Sequence, residues 1–299
     1  MEKFKTIFTG SGVAMVTPFD LNNSIDFKKL KQLIEFQINN KTDAIIIAGT
    51  TGEASTLTDK EHLEVVDVAT ECINGRIPLI VGTGSNDTNH CILLSKKVIE
   101  LGVDGLLLVT PYYNKTSQNG LIAHYTAIAS QVNDTPILLY NVPSRTGMTI
   151  ELETYQKLDE VPNIVGTKEA SGNLKLIKEI INNTNLDIYS GNDDQITDIM
   201  SLGGKGVISV MANIIPEETH LLTCDKSIEM QKYFISLIRE LFPKDNPNPI
   251  AIKEAMNILG MDVGLIRLPL IYRNVENQQV LKETLEKYPE IQKIKKLKF

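Results

Sequence analysis

Eight short runs of nearly unbroken apolar residues recur along the first two-thirds of the chain, with polar residues gathered between them. They span 12–17, 44–48, 78–82, 105–110, 136–140, 164–168, 187–190 and 206–210. A strand with one wet face alternates, whereas continuous hydrophobicity is what a parallel strand covered on both faces requires. The intervening segments carry the helical period. In 26–36, Phe27, Leu30, Leu33 and Ile34 share one face, and Asp26 stands at the N-cap position. Thr58 and Glu61 have the spacing of a capping box that opens another helix.

Successive runs begin about 20–35 residues apart, close to one βα unit. Eight such units in roughly 225 residues predict an α/β fold, a (β/α)8 TIM barrel. Periodicity alone leaves an open doubly wound sheet as the alternative. No strand–G-x-G-x-x-G–helix fingerprint favours a dinucleotide fold, since Gly82-Thr-Gly84 lacks the third glycine. From about residue 225 the strands stop. An amphipathic pattern over 230–242, a Pro-rich turn at 246–249 and helical patterns at 250–259 and 280–287 follow. The expected division is a catalytic barrel over 1–225 and a C-terminal α-helical domain over 226–299.

Composition narrows the function classes. Of 299 residues, 42% are hydrophobic and 22% charged, as in ordinary globular proteins. A net charge of −7 disfavours nucleic acid, which demands clustered cations. The basic cluster Lys293-Ile-Lys-Lys-Leu-Lys298 reads as a frayed, solvated tail. The N-terminus lacks the apolar stretch of a secretory signal, and no run is long enough to cross a bilayer. Cys72, Cys91 and Cys224 are odd in number and widely spaced, and read as reduced, buried thiols of a cytoplasmic protein. Triplets such as Asn86-Asp-Thr88 then carry no glycosylation signal.

In such a barrel the site lies where strands end. There the sequence places Gly49-Thr-Thr-Gly-Glu53, Thr110-Pro-Tyr-Tyr-Asn114, Tyr140-Asn-Val-Pro-Ser-Arg-Thr-Gly147, Lys168, Ser190-Gly-Asn-Asp-Asp194 and Ser209. Each alone reads as a turn or cap, with Asp193 or Asp194 as an N-cap. Lys168 ends an apolar run, so either its ammonium snorkels to water or its amine is desolvated for attack on a carbonyl. The second use needs its pKa lowered by about 3, equivalent to about 4 kcal/mol. Gly166, two residues earlier on the same face, is expected to leave space beneath the side chain. Tyr140, ending the adjacent strand, reads either as a barrel-filling aromatic or as a proton shuttle. Arg145 is one of five arginines against 25 lysines, and its loop could hold a carboxylate or make a surface ion pair. His62, His90, His124 and His220 show no metal-ligand spacing, and no G-x-S-x-G elbow is present.

Together these motifs resemble the pyruvate-dependent class I aldolases, the family of dihydrodipicolinate synthase and N-acetylneuraminate lyase. The resemblance runs from Gly10-Ser-Gly-Val-Ala-Met-Val-Thr-Pro-Phe19 through Asn248-Pro-Ile250 to Arg267-Leu-Pro-Leu270. It implies a barrel with a helical C-terminal domain, assembled as a homotetramer, a dimer of dimers. It also implies that Lys168 forms an imine with pyruvate and needs no other cofactor. The enamine then attacks L-aspartate 4-semialdehyde, in lysine and diaminopimelate biosynthesis. Thr50, Tyr140 and Tyr113 match the family's proton relay, with Tyr113 supplied by a neighbouring subunit. Arg145 matches the residue that receives the semialdehyde carboxylate, and Thr51, with the backbones of Gly191 and Ile208, the pyruvate pocket.

Asn86, His62, Ser55 and Tyr112 map onto the family's lysine feedback site. His90 stands there in place of a glutamate that grips the effector's ammonium, and Ala54 and Asp59 also depart. Weak or absent inhibition by lysine is the expectation. Two other readings remain: an aldolase of sialic or 2-keto-3-deoxy sugar acids on the same scaffold, and a non-catalytic barrel that binds a keto acid.

Overall fold

The computed structural model of the chain describes residues 6–132, 134–297 and 299. Met1–Lys5, where the N-terminal reading begins, and Lys298 of the basic cluster lie outside the described residues. Eight parallel strands close into one barrel in chain order: β1 Gly10–Ala14, β2 Ala44–Ile47, β3 Leu79–Gly82, β4 Gly105–Val109, β5 Ile137–Asn141, β6 Ile164–Glu169, β7 Asp187–Ser190 and β8 Gly206–Ser209. Closure comes from β1 pairing with β8 in the register Gly10↔Gly206, which rules out the open sheet. That pairing also starts β1 two residues before the apolar run. The run's later part leaves the sheet because Val16 N–H is taken by the Asn213 side chain at 3.3 Å.

The unbroken apolar runs have a simple cause. Ile46, Ile80, Leu107, Leu138 and Ile208 fill the barrel, while their neighbours Ile45, Ile47, Val81, Leu106 and Leu139 pack outward in the larger cluster under the helices. Both faces are dry at these positions, so apolar residues occupy both.

β6 breaks the alternation. Its register against β5 shifts between Ile137 and Leu138, which pair with Ile164 and Gly166 and leave Val165 extra. Val165 packs with the interior cluster. Beyond it, Thr167 and Glu169 face outward to the Tyr155 hydroxyl, and Lys168 is paired with the interior residue Tyr140. A bulge of this kind re-aims the residues that follow it. Without the extra residue, Val165 and Lys168 would sit on opposite faces. Gly166 does not leave free space, contrary to expectation. A Cβ there would lie 2.4 Å from Asp187 O and 3.0 Å from Leu138 Cδ2, so the glycine admits the close approach of β7.

The local helix signals are in place. Asp26 caps Phe27–Asn39 by accepting from Lys29 N, and Thr58 and Glu61 form the full capping box of Asp59–Ile73. The helix expected over 230–242 is two, Ile228–Tyr233 and Ile235–Leu241. The Tyr288 hydroxyl accepts from Leu237 N and donates to Tyr233 O, both at 3.2 Å. It thus inserts where a direct Leu237-to-Tyr233 bond would close the turn.

The basic C-terminal segment is docked rather than frayed. Ile291 and Ile294 are buried, and the Phe299 ring meets Phe36 edge-on at 5.3 Å. Of the cysteines only Cys91 is buried; Cys72 is half-buried and Cys224, in the last turn of helix Pro216–Asp225, is exposed. Among the described residues no helix is long and apolar enough to cross a membrane.

Candidate active site

Tyr140 and Lys168 are paired neighbours at the C-terminal ends of β5 and β6. Lys168 is 5% exposed, and its Nζ stands 4.6 Å from the Tyr140 ring centroid. Among the described residues no carboxylate lies within ion-pair distance of that amine. Burial pulls it down to about 8 from an ordinary 10.5, with the charge of Asp193 opposing and that of Arg145 assisting. Roughly a tenth of such amines are neutral at pH 7. Burial raises the Tyr140 phenol, against the Arg145 charge and a hydrogen bond with Thr50. Tyr140 is therefore a neutral hydroxyl, able to give and take a proton.

Arg145 sits on the helical turn Pro143–Thr146 that follows β5, and its Nη2 donates to Asn248 O at 3.0 Å. The Asn248 side chain in turn donates to the buried Thr51 hydroxyl at 2.9 Å. Thr51 thus touches Asn248 and ties the β2 loop to the segment that steadies Arg145. Gly191 N donates to Glu169 O at 2.7 Å, and Ile208 belongs to the interior cluster that includes Tyr140.

The Thr50–Thr51 loop is flanked by two non-glycine residues in left-handed conformation, Ala48 at φ 50° and Glu53 at φ 54°. Such strain persists only where surroundings hold it. Glu53 is held: Lys253 Nζ donates to its Oε1 at 2.8 Å and Arg267 N to its Oε2 at 3.0 Å.

A cavity of about 410 Å³ is walled by Thr50, Tyr140 and Arg145 together with Ser55, His62, His90 and Tyr112. Residues mapped to relay and effector roles therefore share one space. Lys168, Thr51, Gly191, Ile208 and Asn86 are not on its wall. Burial draws His62 down to about 4, so its imidazole is neutral at physiological pH. His90 Nε2 lies 3.0 Å from Asp59 Oδ1, and the Asn86 carbonyl accepts from Asn114 Nδ2 at 2.9 Å. Tyr113 is not brought to Lys168 within one chain. It is 94% exposed, at φ 69°.

Three residues of this region were not singled out for it by sequence. Asp193, read as a cap, instead accepts from Val210 N at 3.2 Å and Met211 N at 2.8 Å through Oδ2. Burial raises its carboxyl to about 6, against hydrogen bonds from Ser209 and Met211 and the charge of Lys168. Its place among the strand-end polar residues was the available signal. Asn248 stood in a proline turn and in the Asn248-Pro-Ile250 motif without a role at the site, and Lys253 looked like any helical lysine.

A profile of the Dihydrodipicolinate synthetase family matches residues 7–288. The chain is similar to 4-hydroxy-tetrahydrodipicolinate synthase of Caldicellulosiruptor saccharolyticus, 51% identical over 290 residues, covering 94% of this chain and 97% of the relative. Its similarity to the enzyme of that name from Clostridium tetani is 51% over 294 residues, covering 95% and 98%. Among solved structures, the chloride-inhibited dihydrodipicolinate synthase from Acinetobacter baumannii complexed with pyruvate superposes with TM-score 0.89 at 41% identity, covering 94% of this chain and 98% of that one.

Proposed function

The chain belongs to the dihydrodipicolinate synthetase family, and we propose that its reaction begins at Lys168. The activity is that of the family, a lyase of the class I aldolase type. It condenses pyruvate with L-aspartate 4-semialdehyde through a Schiff base, in lysine and diaminopimelate biosynthesis. The observation that carries the assignment to Lys168 is its buried amine, drawn down to about 8 and facing the Tyr140 ring, with no carboxylate among the described residues bound to it.

In this reading the neutral Nζ attacks the keto carbon of pyruvate, and the carbinolamine expels water to leave an iminium. Tyr140 and Thr50 carry the protons that these steps give and take. Loss of a methyl proton turns the iminium into an enamine, whose carbon attacks the aldehyde. Arg145, steadied by Asn248, receives the aldehyde's carboxylate as a bidentate partner. Thr51, Gly191 and Ile208 shape the pyruvate side. No cofactor beyond the covalent imine takes part, and the setting is cytoplasmic.

Tyr113 completes the relay from a neighbouring copy in a homotetramer built as a dimer of dimers. Its exposure and left-handed backbone support this, since an aromatic held in that conformation and offered to solvent is costly without a use. The helical region 226–299 serves as a positioning appendage, through Lys253 on Glu53 and Asn248 on Arg145.

Borohydride reduction in the presence of pyruvate, followed by peptide mass mapping, should place one adduct on Lys168. An adduct elsewhere, or none, overturns the mechanism. Co-expressing inactive Lys168→Ala and Tyr113→Phe chains should restore activity, because a mixed dimer holds one site with both residues intact. No restoration would place Tyr113 in its own chain's site or outside the relay.

A further inference from the structure

At the end of the barrel opposite Lys168, where β1 and β2 begin, an acid, an imidazole and a thiol stand in line. Asp43 immediately precedes β2, and its Oδ2 accepts from Ser11 N at 2.7 Å. The same oxygen lies 2.7 Å from His220 Nδ1. The other ring nitrogen of His220, Nε2, lies 3.4 Å from Cys224 Sγ, one turn further along helix Pro216–Asp225. Nδ1 is the ring nitrogen that faces the carboxylate oxygen, and the opposite nitrogen, Nε2, is the one turned to the thiol. This is the order nucleophile, base, orienter by which a side chain is activated for attack.

The other two cysteines lack this setting. Burial pushes the Cys91 thiol up to about 11. Cys72 is raised by burial and by the neighbouring Glu35 carboxylate. Cys224 alone of the three is exposed. Asp43 is also fixed independently of the thiol. It grips the start of β1, and its own N–H donates to Ser11 O at 2.8 Å. The orienting carboxylate is thus held by the sheet, and the imidazole needs no rearrangement to serve as base.

We propose that Cys224 is a site of reversible covalent modification by small disulfides, with His220 as its base and Asp43 as the orienting residue. His220 Nε2 takes the thiol proton as Sγ attacks one sulfur of the disulfide. A new S–S bond joins Cys224 to that half, the original S–S bond breaks, and the other half leaves as a thiolate. Asp43 stabilises the imidazolium formed, which returns its proton to the departing thiolate or to water. One thiol is consumed and one released, so no further oxidant is required. The position is remote from Lys168 and the proposal does not depend on the aldolase reading.

The test uses the full-length reduced chain and a small symmetrical aromatic disulfide whose released thiolate is coloured, with peptide mass mapping of the mixed disulfides. Cys224 should be modified at least about tenfold faster than Cys72, and Cys91 should not react in the folded chain. His220→Gln should slow Cys224 by about tenfold or more while the Cys72 rate, read in the same sample, stays put. Cys224 should also react faster in the folded chain than in the same chain unfolded in denaturant. Equal rates at Cys72 and Cys224, or an unchanged Cys224 rate in His220→Gln, overturns the proposal. A slower Cys224 in the folded chain than in the unfolded one does so whatever the variants show.

Discussion

Lys168 and Lys253 are both buried, both lysines, and put to opposite uses. The Lys253 amine spends its three N–H groups on the Glu53 carboxylate at 2.8 Å, Thr17 O at 3.0 Å and Leu265 O, and it lies 4.5 Å from the Phe19 ring centroid. Lys168 has a ring face beside it and the charge of Asp193 acting on it, but among the described residues no acceptor is bound to its nitrogen. Burial lowers both amines. What separates them is saturation: an ammonium whose three hydrogens are all engaged is held in its protonated form, whereas one with no acceptor gives up a proton more readily and then offers its lone pair. Desolvation by itself therefore does not mark a nucleophile. Lys253 contributes geometry instead, since it holds the strained Glu53 that ends the Thr50 loop.

Replacing each lysine should separate the two uses. Lys168→Met is expected to lower kcat by at least about a thousandfold, some 4 kcal/mol in transition-state stabilisation. Its urea midpoint should hold or rise. Keeping an amine at about 8 instead of 10.5 costs the fold roughly 3 kcal/mol at neutral pH, and that cost disappears with the amine. Loss of stability with retained turnover would reverse the contrast.

Lys253→Met should do the opposite first, lowering the stability measured in urea by about 3–5 kcal/mol, because the buried Glu53 carboxyl loses its cationic partner and keeps only the Arg267 N–H. Adding Glu53→Leu to that variant should recover part of the loss, and a double-mutant cycle in urea measures how much. No recovery would mean that the pair is not the source of the effect.

pH acts on Lys168 in a definite direction. Activity at limiting pyruvate should climb through neutrality and level off above about 8, where the amine is neutral. Asp193→Asn should move that bend to lower pH by roughly half to one unit, because the Asp193 charge holds the amine up. An unmoved bend would disconnect the two groups. Stability runs the same way. Between about 8 and 10.5 the unfolded chain binds the lysine proton and the folded chain does not, so the Lys168 contribution makes the fold more stable as pH rises through that window. Below it both forms are protonated and the full cost remains.

The smallest effect is expected from free lysine. Asp59 already faces His90 at 3.0 Å and His62 is neutral, so the cavity offers the effector's ammonium no free carboxylate from that pair. Steady-state rates should stay unchanged at sub-millimolar lysine, and clear inhibition there would show that another group grips the ammonium.

Much of the barrel was legible because its signals are local. The Asp26 cap, the Thr58–Glu61 box and the doubly apolar strands each depend on neighbours within a turn or a strand length. The placement of Tyr140 beside Lys168 was legible for a related reason, as both end consecutive strands. The failures are just as consistent. Tyr288 splits the helix expected over 230–242 from more than fifty residues away in sequence. The basic cluster over 293–298 read as a frayed, solvated tail, yet Ile294 within it is buried and Phe299 just beyond it meets Phe36.

By itself, then, the chain's pattern determined eight βα units, the rim at which polar residues collect, and the lysine at the end of the sixth strand, while closure into a barrel came from the pairing of β1 with β8. Tertiary structure decided which way that lysine points, because the extra residue Val165 resets the face of everything after it. It also decided which buried amine is saturated. Glu53 and Lys253 are 200 residues apart, as Asp43 and His220 are 177. Whether an amine or a thiol is quenched or left ready to react depends on partners that only the closed barrel brings within hydrogen-bonding distance, and short-range pattern carries no trace of them.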